Sequence, residues 1–229
     1  MHNDAVSKVN KSSLLPHSSM MAEEESNELE CVTFGRYRQS TNADSKDEPI
    51  QWLVLDRDDK TVLLISKYAL ECRPYNTANA NITWESSTLR KWLNSDFYNT
   101  AFSTEEKSGI MLSDVSADIN PNYGTNPGNP TQDRVYLLSV CEVAKYFGSG
   151  IVNICAPTKY AVVQGAYTDP DYLTSDKLAS GWWWLRSPGY AQDHASFVYY
   201  NGRINCEGLR VDYGYNSIRP VVRVLQAVV

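Results

Sequence analysis

Two stretches near the C-terminus, Gly181–Gly189 (GWWWLRSPG) and Ser217–Leu225 (SIRPVVRVL), decide how the chain is read. Trp182, Trp183 and Trp184 carry more apolar area than any other triplet in the sequence, and rings of that size dominate cores and interfaces. Val221, Val222, Val224 and Leu225 read as a buried strand. The intervening residues 190–216 (YAQDHASFVYYNGRINCEGLRVDYGYN) contain no Lys, Met or Trp and are rich in Tyr, Asn, Asp, His, Arg and Ser. Tyr supplies rigid contact area and small polar side chains supply adaptable hydrogen bonds, the make-up of binding loops. An apolar frame around such a segment predicts a display surface, with an ordinary surface hairpin and loop as the plainer alternative.

Asn201-Gly202 is the sharpest turn signal in the chain. A two-residue turn would pair Tyr199 with Ile204. A three-residue turn with Gly202 left-handed would pair Val198 with Ile204 instead. The second is preferred because it puts both aliphatic side chains on the core face. Phe197, Tyr199, Arg203 and Asn205 are then expected to point together away from the core.

Working outward, Cys31–Tyr37 reads as a first strand and Ser40–Glu48 as a loop. Ile50–Leu55 and Thr61–Ser66 are apolar, branched runs joined by the turn sequence DRDDK, hence a hairpin central to a sheet. Tyr75–Thr83 reads as loop. A helix is expected over Ser87–Ser95, with Leu89, Trp92, Leu93 and Phe97 at helical spacing and Ser86 or Ser87 as its cap. Ser103 with Glu106, and Ser139 with Glu142, match the capping-box spacing for two further helices, the second ended by Gly148. Arg134–Leu138 reads as a strand. Pro157 lies near the first turn of another short helix, with Gly165 after its last. Ser113–Asp133 and Ala166–Ser180 read as loops, the first long enough for a functional or an Ω-type segment. Residues 1–29 form an expected leader or tail, mixed polar and without apolar periodicity, and 30–229 form one domain.

The 229 residues carry a formal net charge of −6, which argues against a general nucleic-acid binder, because phosphate contacts need clustered Lys and Arg. The five cysteines include no C-x-x-C, so neither a disulfide framework nor a thiolate zinc site is expected. No apolar run reaches the length of a membrane span, and no basic-then-apolar leader precedes the domain. Synthesis in the cytoplasm is expected, and where the protein ends up does not follow. Of the three histidines, His2 and His17 lie in the tail and only His194 in the domain, which leaves little for Ser-His or Cys-His catalysis. Metal-binding and phosphate-loop motifs are missing from the sequence. Arg186 and Arg219, set in apolar strands, are expected to tie the sheet to loop carbonyls or to carboxylates such as Asp212.

The pattern WWLRSPG, a Gly-turn hairpin and then IRPVV resembles a bacterial and phage domain family of largely unassigned function. So do FGRY (Phe34–Tyr37), PIQWLVLD, LLISKYAL, TLRKWLN, TQDRVYLLS and CAPTKYA. That family is related to the C-type-lectin-like fold of formylglycine-generating enzymes and of diversity-generating retroelement variable proteins. The resemblance implies an α+β, C-type-lectin-like domain over most of the chain, with a ligand-display hairpin and loops at 186–218. In the variable proteins, adenines of template AAC codons are replaced, which never yields Lys, Glu, Gln, Met or Trp. Between Tyr190 and Asn216 only Gln192 and Glu207 depart from that set. The expected function is binding of a ligand, taken to be a protein, through Tyr190, Asp193, His194, Phe197, Tyr199, Tyr200, Arg203, Asn205, Arg210, Asp212, Tyr213, Tyr215 and Asn216. Neither catalysis nor a cofactor is expected. The triplets of calcium-dependent lectins are missing, and only Cys206 lies where the formylglycine-generating enzymes place a cysteine pair. An enzyme of that type and a carbohydrate-binding module remain the alternatives.

Overall fold

A computed structural model describes residues 29–41, 47–148 and 154–229. The expected tail, apart from Leu29, and the middle of the Ser40–Glu48 loop lie outside the described residues. The fold is mixed α+β, built from small sheets and short helices.

Strands β1 (Cys31–Tyr37), β2 (Glu48–Arg57) and β3 (Thr61–Ser66) run as a meander. At the β2–β3 turn, the Asp58 carboxylate accepts the Lys60 and Thr61 N–H groups and the Thr61 hydroxyl. That is an Asx-type turn, formed because a short acidic side chain can satisfy the backbone two residues on. With β7 (Val135–Tyr136) and β14 (Val221–Leu225) these strands complete a five-stranded sheet ordered β1-β2-β3-β14-β7. Every residue of β3 is buried, as its unbroken apolar run requires of a central strand.

A second five-stranded sheet is ordered β12-β11-β10-β13-β4. Its members are β4 (Glu71–Cys72), β10 (Trp183–Pro188), β11 (His194–Val198), β12 (Ile204–Arg210) and β13 (Ser217–Ile218). Only the β10–β13 pairing in this sheet is parallel. The chain leaves this sheet for the first between Ile218 and Val221, so Arg219-Pro220 is the crossing. Two-stranded ribbons pair β5 (Ser113–Val115) with β6 (Thr131–Asp133), and β8 (Thr168–Leu173) with β9 (Ala179–Gly181). Both expected loops therefore begin or end in strand.

The helix capped by Ser87 starts at α1 (Thr88–Trp92) but does not stop at Ser95. A wider turn (Leu93–Phe97) carries it on into α2 (Tyr98–Ala101). The extension buries Phe97 and Ala101, and Asn94 fixes it to the sheet by donating to the Val135 carbonyl and accepting the Arg134 N–H. Both capping boxes form, Ser103/Glu106 on α3 (Thr104–Gly109) and Ser139/Glu142 on α4 (Val140–Phe147). The short helix after Pro157 is α5 (Lys159–Val163), capped by Thr158. Side chains of both sheets, α1 and α4 merge into one apolar core that includes Trp52, Trp183 and Trp184.

Candidate functional site

The hairpin β11–β12 takes the three-residue turn: Val198 pairs with Ile204, Tyr199 N–H bonds the Arg203 carbonyl, and Gly202 has φ 80°. Further along, Gly208 at φ 82° lets the two backbones close up. A Cβ there would stand 2.5 Å from the Ala195 carbonyl oxygen, so only glycine fits.

Two buried arginines hold the frame beneath. Arg186 of β10 donates to the Leu137 and Ser116 carbonyls and pairs with Glu142 and Asp118. It thus binds the strand to α4 and to the loop after β5. Arg219 donates Nε–H to the Ser66 carbonyl and lies over the rings of Phe147 and Trp183. Its Nη1 has no hydrogen-bond partner, and burial lowers its pKa. Carbonyls and carboxylates were the expected partners, but Asp212 is not among them; it pairs with Arg210.

The expected display residues do not form one outward face. Phe197 is 1% exposed, packed on Trp182 and Trp184. β11 is covered on both faces, so alternation along it separates two buried sides rather than a core from a surface. Asn216 is also fully buried, and its side-chain amide has no hydrogen-bond partner. These two expectations are corrected. The remaining positions are exposed or half-buried and fall into three groups.

At the open end of the hairpin, His194 Nδ1 lies 2.8 Å from Asp193, the Tyr190 ring packs on His194, and Arg210 pairs with Asp212. Tyr123, from the loop between β5 and β6, joins them by an edge contact to Tyr190. Tyr213 and Tyr215 form a second, exposed pair. The third group is at the turn: Tyr199, Tyr200, Arg203 and Asn205, with the Asn205 amide donating to the Tyr199 hydroxyl. At a rise of about 3.3 Å per residue, His194 and Val198 are ~13 Å apart, so the first and third groups flank the length of β11.

The turn group is larger than the hairpin alone. Tyr167 lies 4.4 Å from Trp182 and 6.2 Å from Tyr200, Tyr172 lies 4.6 Å from Tyr200, and Trp182 meets Tyr199 edge-on at 5.8 Å. Tyr167 and Tyr172 are 37% and 41% exposed, too much for core residues. Tyr172 lies in β8 and Tyr167 immediately precedes it; the β8–β9 register shifts between Asp169 and Leu173, and both tyrosines meet the same ring, Tyr200. Trp182, unlike Trp183 and Trp184, is only half-buried and belongs to this cluster. Tyr167, Tyr172 and Trp182 were not among the expected site residues. A stretch such as TDPDYL, with two Asp and a Pro, does not announce itself as strand, and a Trp beside two core tryptophans reads as core.

Concavities elsewhere are less promising. A cleft of about 590 Å³ is lined by Arg36, Asp47, Phe102 and Glu106, but Glu106 is already engaged by the Gly35 and Ser103 N–H groups. A void of about 10 Å³ beside Arg186 has room for no more than a water. The five cysteines are free. Burial pushes the Cys72 thiol up to about 12 and raises Cys155, Cys206 and Cys141, which suppresses thiolate chemistry. Among the described residues no helix is long and apolar enough to cross a membrane.

Residues 59–225 match the model of a family described as a domain of unknown function, DUF6273, and the chain belongs to that family. The match starts in the β2–β3 turn and takes in both ribbons, the hairpin and β14. No curated protein and no solved structure matches the chain.

Proposed function

We propose that this domain binds a protein ligand through the turn of the β11–β12 hairpin and the adjoining β8–β9 ribbon, on a C-type-lectin-like fold. Its role is recognition rather than catalysis. The observation that carries this is the ring cluster of Tyr167, Tyr172, Trp182, Tyr199 and Tyr200, built from stretches separate in sequence, with Tyr167 and Tyr172 exposed and the other three half-buried. Aromatic patches of that kind are where recognition surfaces concentrate their binding energy. The core is carried by other residues, Val198, Val211 and Trp184 among them, so the surface can change without loss of the fold.

A diversity-generating retroelement variable protein is the specific form of this proposal. Gln192, one of the two residues of the segment outside the AAC-derived set, donates to the Ile82 and Asn126 carbonyls, a structural tie that a varied segment would keep constant. The rival enzyme of the formylglycine-generating type would need a cysteine pair drawn from separate parts of the sequence. The rival sugar-binding module would use the same tyrosine faces.

The test is crosslinking of the intact protein to partners captured from its source cells, followed by mapping of the linked residues. Links at Tyr172, Tyr200 and Arg203 are expected; links confined to other faces overturn the proposal. A near-copy of codons 180–220 beside a reverse transcriptase gene is expected for the diversified form. A glycan array bound through the same tyrosines would favour the sugar-binding rival.

A further inference from the structure

We infer that the cluster of Tyr167, Tyr172, Trp182 and Tyr200, with Asp169 and Asp171, is the seat for a cationic side chain, Lys or Arg, of the protein partner. This rests on the protein-binding proposal above and names the chemistry that the surface selects.

Elsewhere in the described fold some aromatic rings have a cation over them, while the exposed Tyr123, Tyr190, Tyr213 and Tyr215 have none. Arg38 lies over Tyr160 at 5.1 Å, Lys67 over Tyr68 at 5.3 Å, Arg73 over Trp92 at 4.5 Å and Lys145 over Tyr146 at 4.6 Å. Among the described residues no Lys or Arg lies over the rings of this cluster, in which Tyr167 and Tyr172 are exposed and Trp182 and Tyr200 half-buried. A ring face is negative, and a cation within about 6 Å of its centre is attracted.

The carboxylates tell the same way. Asp169 takes a long hydrogen bond from the Tyr167 hydroxyl at 3.4 Å, which sets it at the cluster's edge, and it accepts the Asp171 N–H. Neither Asp169 nor Asp171 is ion-paired among the described residues. Asp176, beyond the end of the same strand, is taken by Lys67 and Tyr68, and Asp212 by Arg210. Lys177 and Arg203, close to these residues in sequence, are exposed and lie over none of these rings. Open ring faces edged by unpaired carboxylates, on a chain of net charge −6, complement a basic partner.

The test uses the full chain, with a short glycine peptide carrying lysine as probe, and follows the Trp182 indole N–H by NMR, assigned with Trp182→Phe. The lysine peptide is expected to shift that resonance saturably at millimolar concentrations, more strongly at low salt. The same peptide with Nε-acetylated lysines should not. Tyr172→Leu should weaken binding roughly two- to fivefold, as one exposed cation–π contact would. Asp169→Asn with Asp171→Asn should weaken it and remove most of the salt dependence while leaving Tm in place. Equal binding of the acetylated peptide, preference for a glutamate peptide, or no saturable shift overturns the inference. A crosslinked partner whose affinity survives the double Asp→Asn change would overturn the cation seat while leaving the protein-binding proposal standing.

Discussion

Replacing Arg186 by Met should destabilise the domain by about 3 kcal/mol, at the lower end of the ~3–5 kcal/mol lost when one member of a buried ion pair is removed. The side chain is 2% exposed and meets two carboxylates, Glu142 and Asp118, each 26% exposed. Those carboxylates regain some water when the guanidinium goes, which places the cost low in the range. The Leu137 and Ser116 carbonyls also lose a donor. For a domain of this size 3 kcal/mol corresponds to a fall in Tm of roughly 6–12 °C. Urea unfolding followed by tryptophan fluorescence would measure it, with Glu142→Gln and the double variant closing a cycle. The single changes should be strongly non-additive, because either one breaks the same contact. A loss below about 1 kcal/mol for Arg186→Met, or strict additivity, would show that the pair is a surface-like contact and that β10 is held to α4 by packing alone.

Further perturbations separate frame from surface. Trp184→Ala should cost ~3–5 kcal/mol, because that ring is fully buried and its Nε1 donates to the Arg73 carbonyl; Tyr172→Ala should stay within about 1 kcal/mol, both read by urea midpoint. Gly208→Ala should destabilise strongly, since the new Cβ has neither the space nor the φ it needs, and the loss should appear in the same assay with the β11–β12 amides exchanging fastest. Asp58 has its pKa lowered from 3.8 to about 2, chiefly by the Thr61 hydroxyl and then by the Lys60 and Thr61 N–H groups. A depressed carboxylate adds stability that is whole above its unfolded value and is lost as pH falls through the folded one. Tm should therefore fall less between pH ~4 and ~2 in Asp58→Asn than in the parent; parallel curves would refute the assignment.

The elements that local chemistry determines were legible in the sequence. The capping boxes at Ser103 and Ser139, the first strand and the β2–β3 hairpin are set by residues within a few positions of one another. So is the register at Asn201-Gly202. What was not legible depends on partners distant in sequence. Alternation puts Phe197 and Val198 on opposite faces correctly, but it cannot say that other elements cover both. The helix passes Ser95 because Asn94 finds acceptors and donors some 40 residues on. Strand β8 is polar and largely exposed, so neither periodicity nor propensity marks it, and it brings Tyr172, with Tyr167 just before it, to the cluster. The proposed hairpin surface was thus half described by its own segment, with the other half contributed by a stretch that reads as loop.

The most direct test replaces Tyr172, Tyr200 and Arg203 together with Ala and measures, on one preparation, affinity for a crosslinked partner and Tm. The account predicts that affinity falls at least about 100-fold, as loss of two or more hot-spot contacts would, while Tm and the circular dichroism spectrum stay near those of the parent. Unchanged affinity, or a protein that no longer folds, would contradict the division of this domain into a packed frame and a separable aromatic recognition surface.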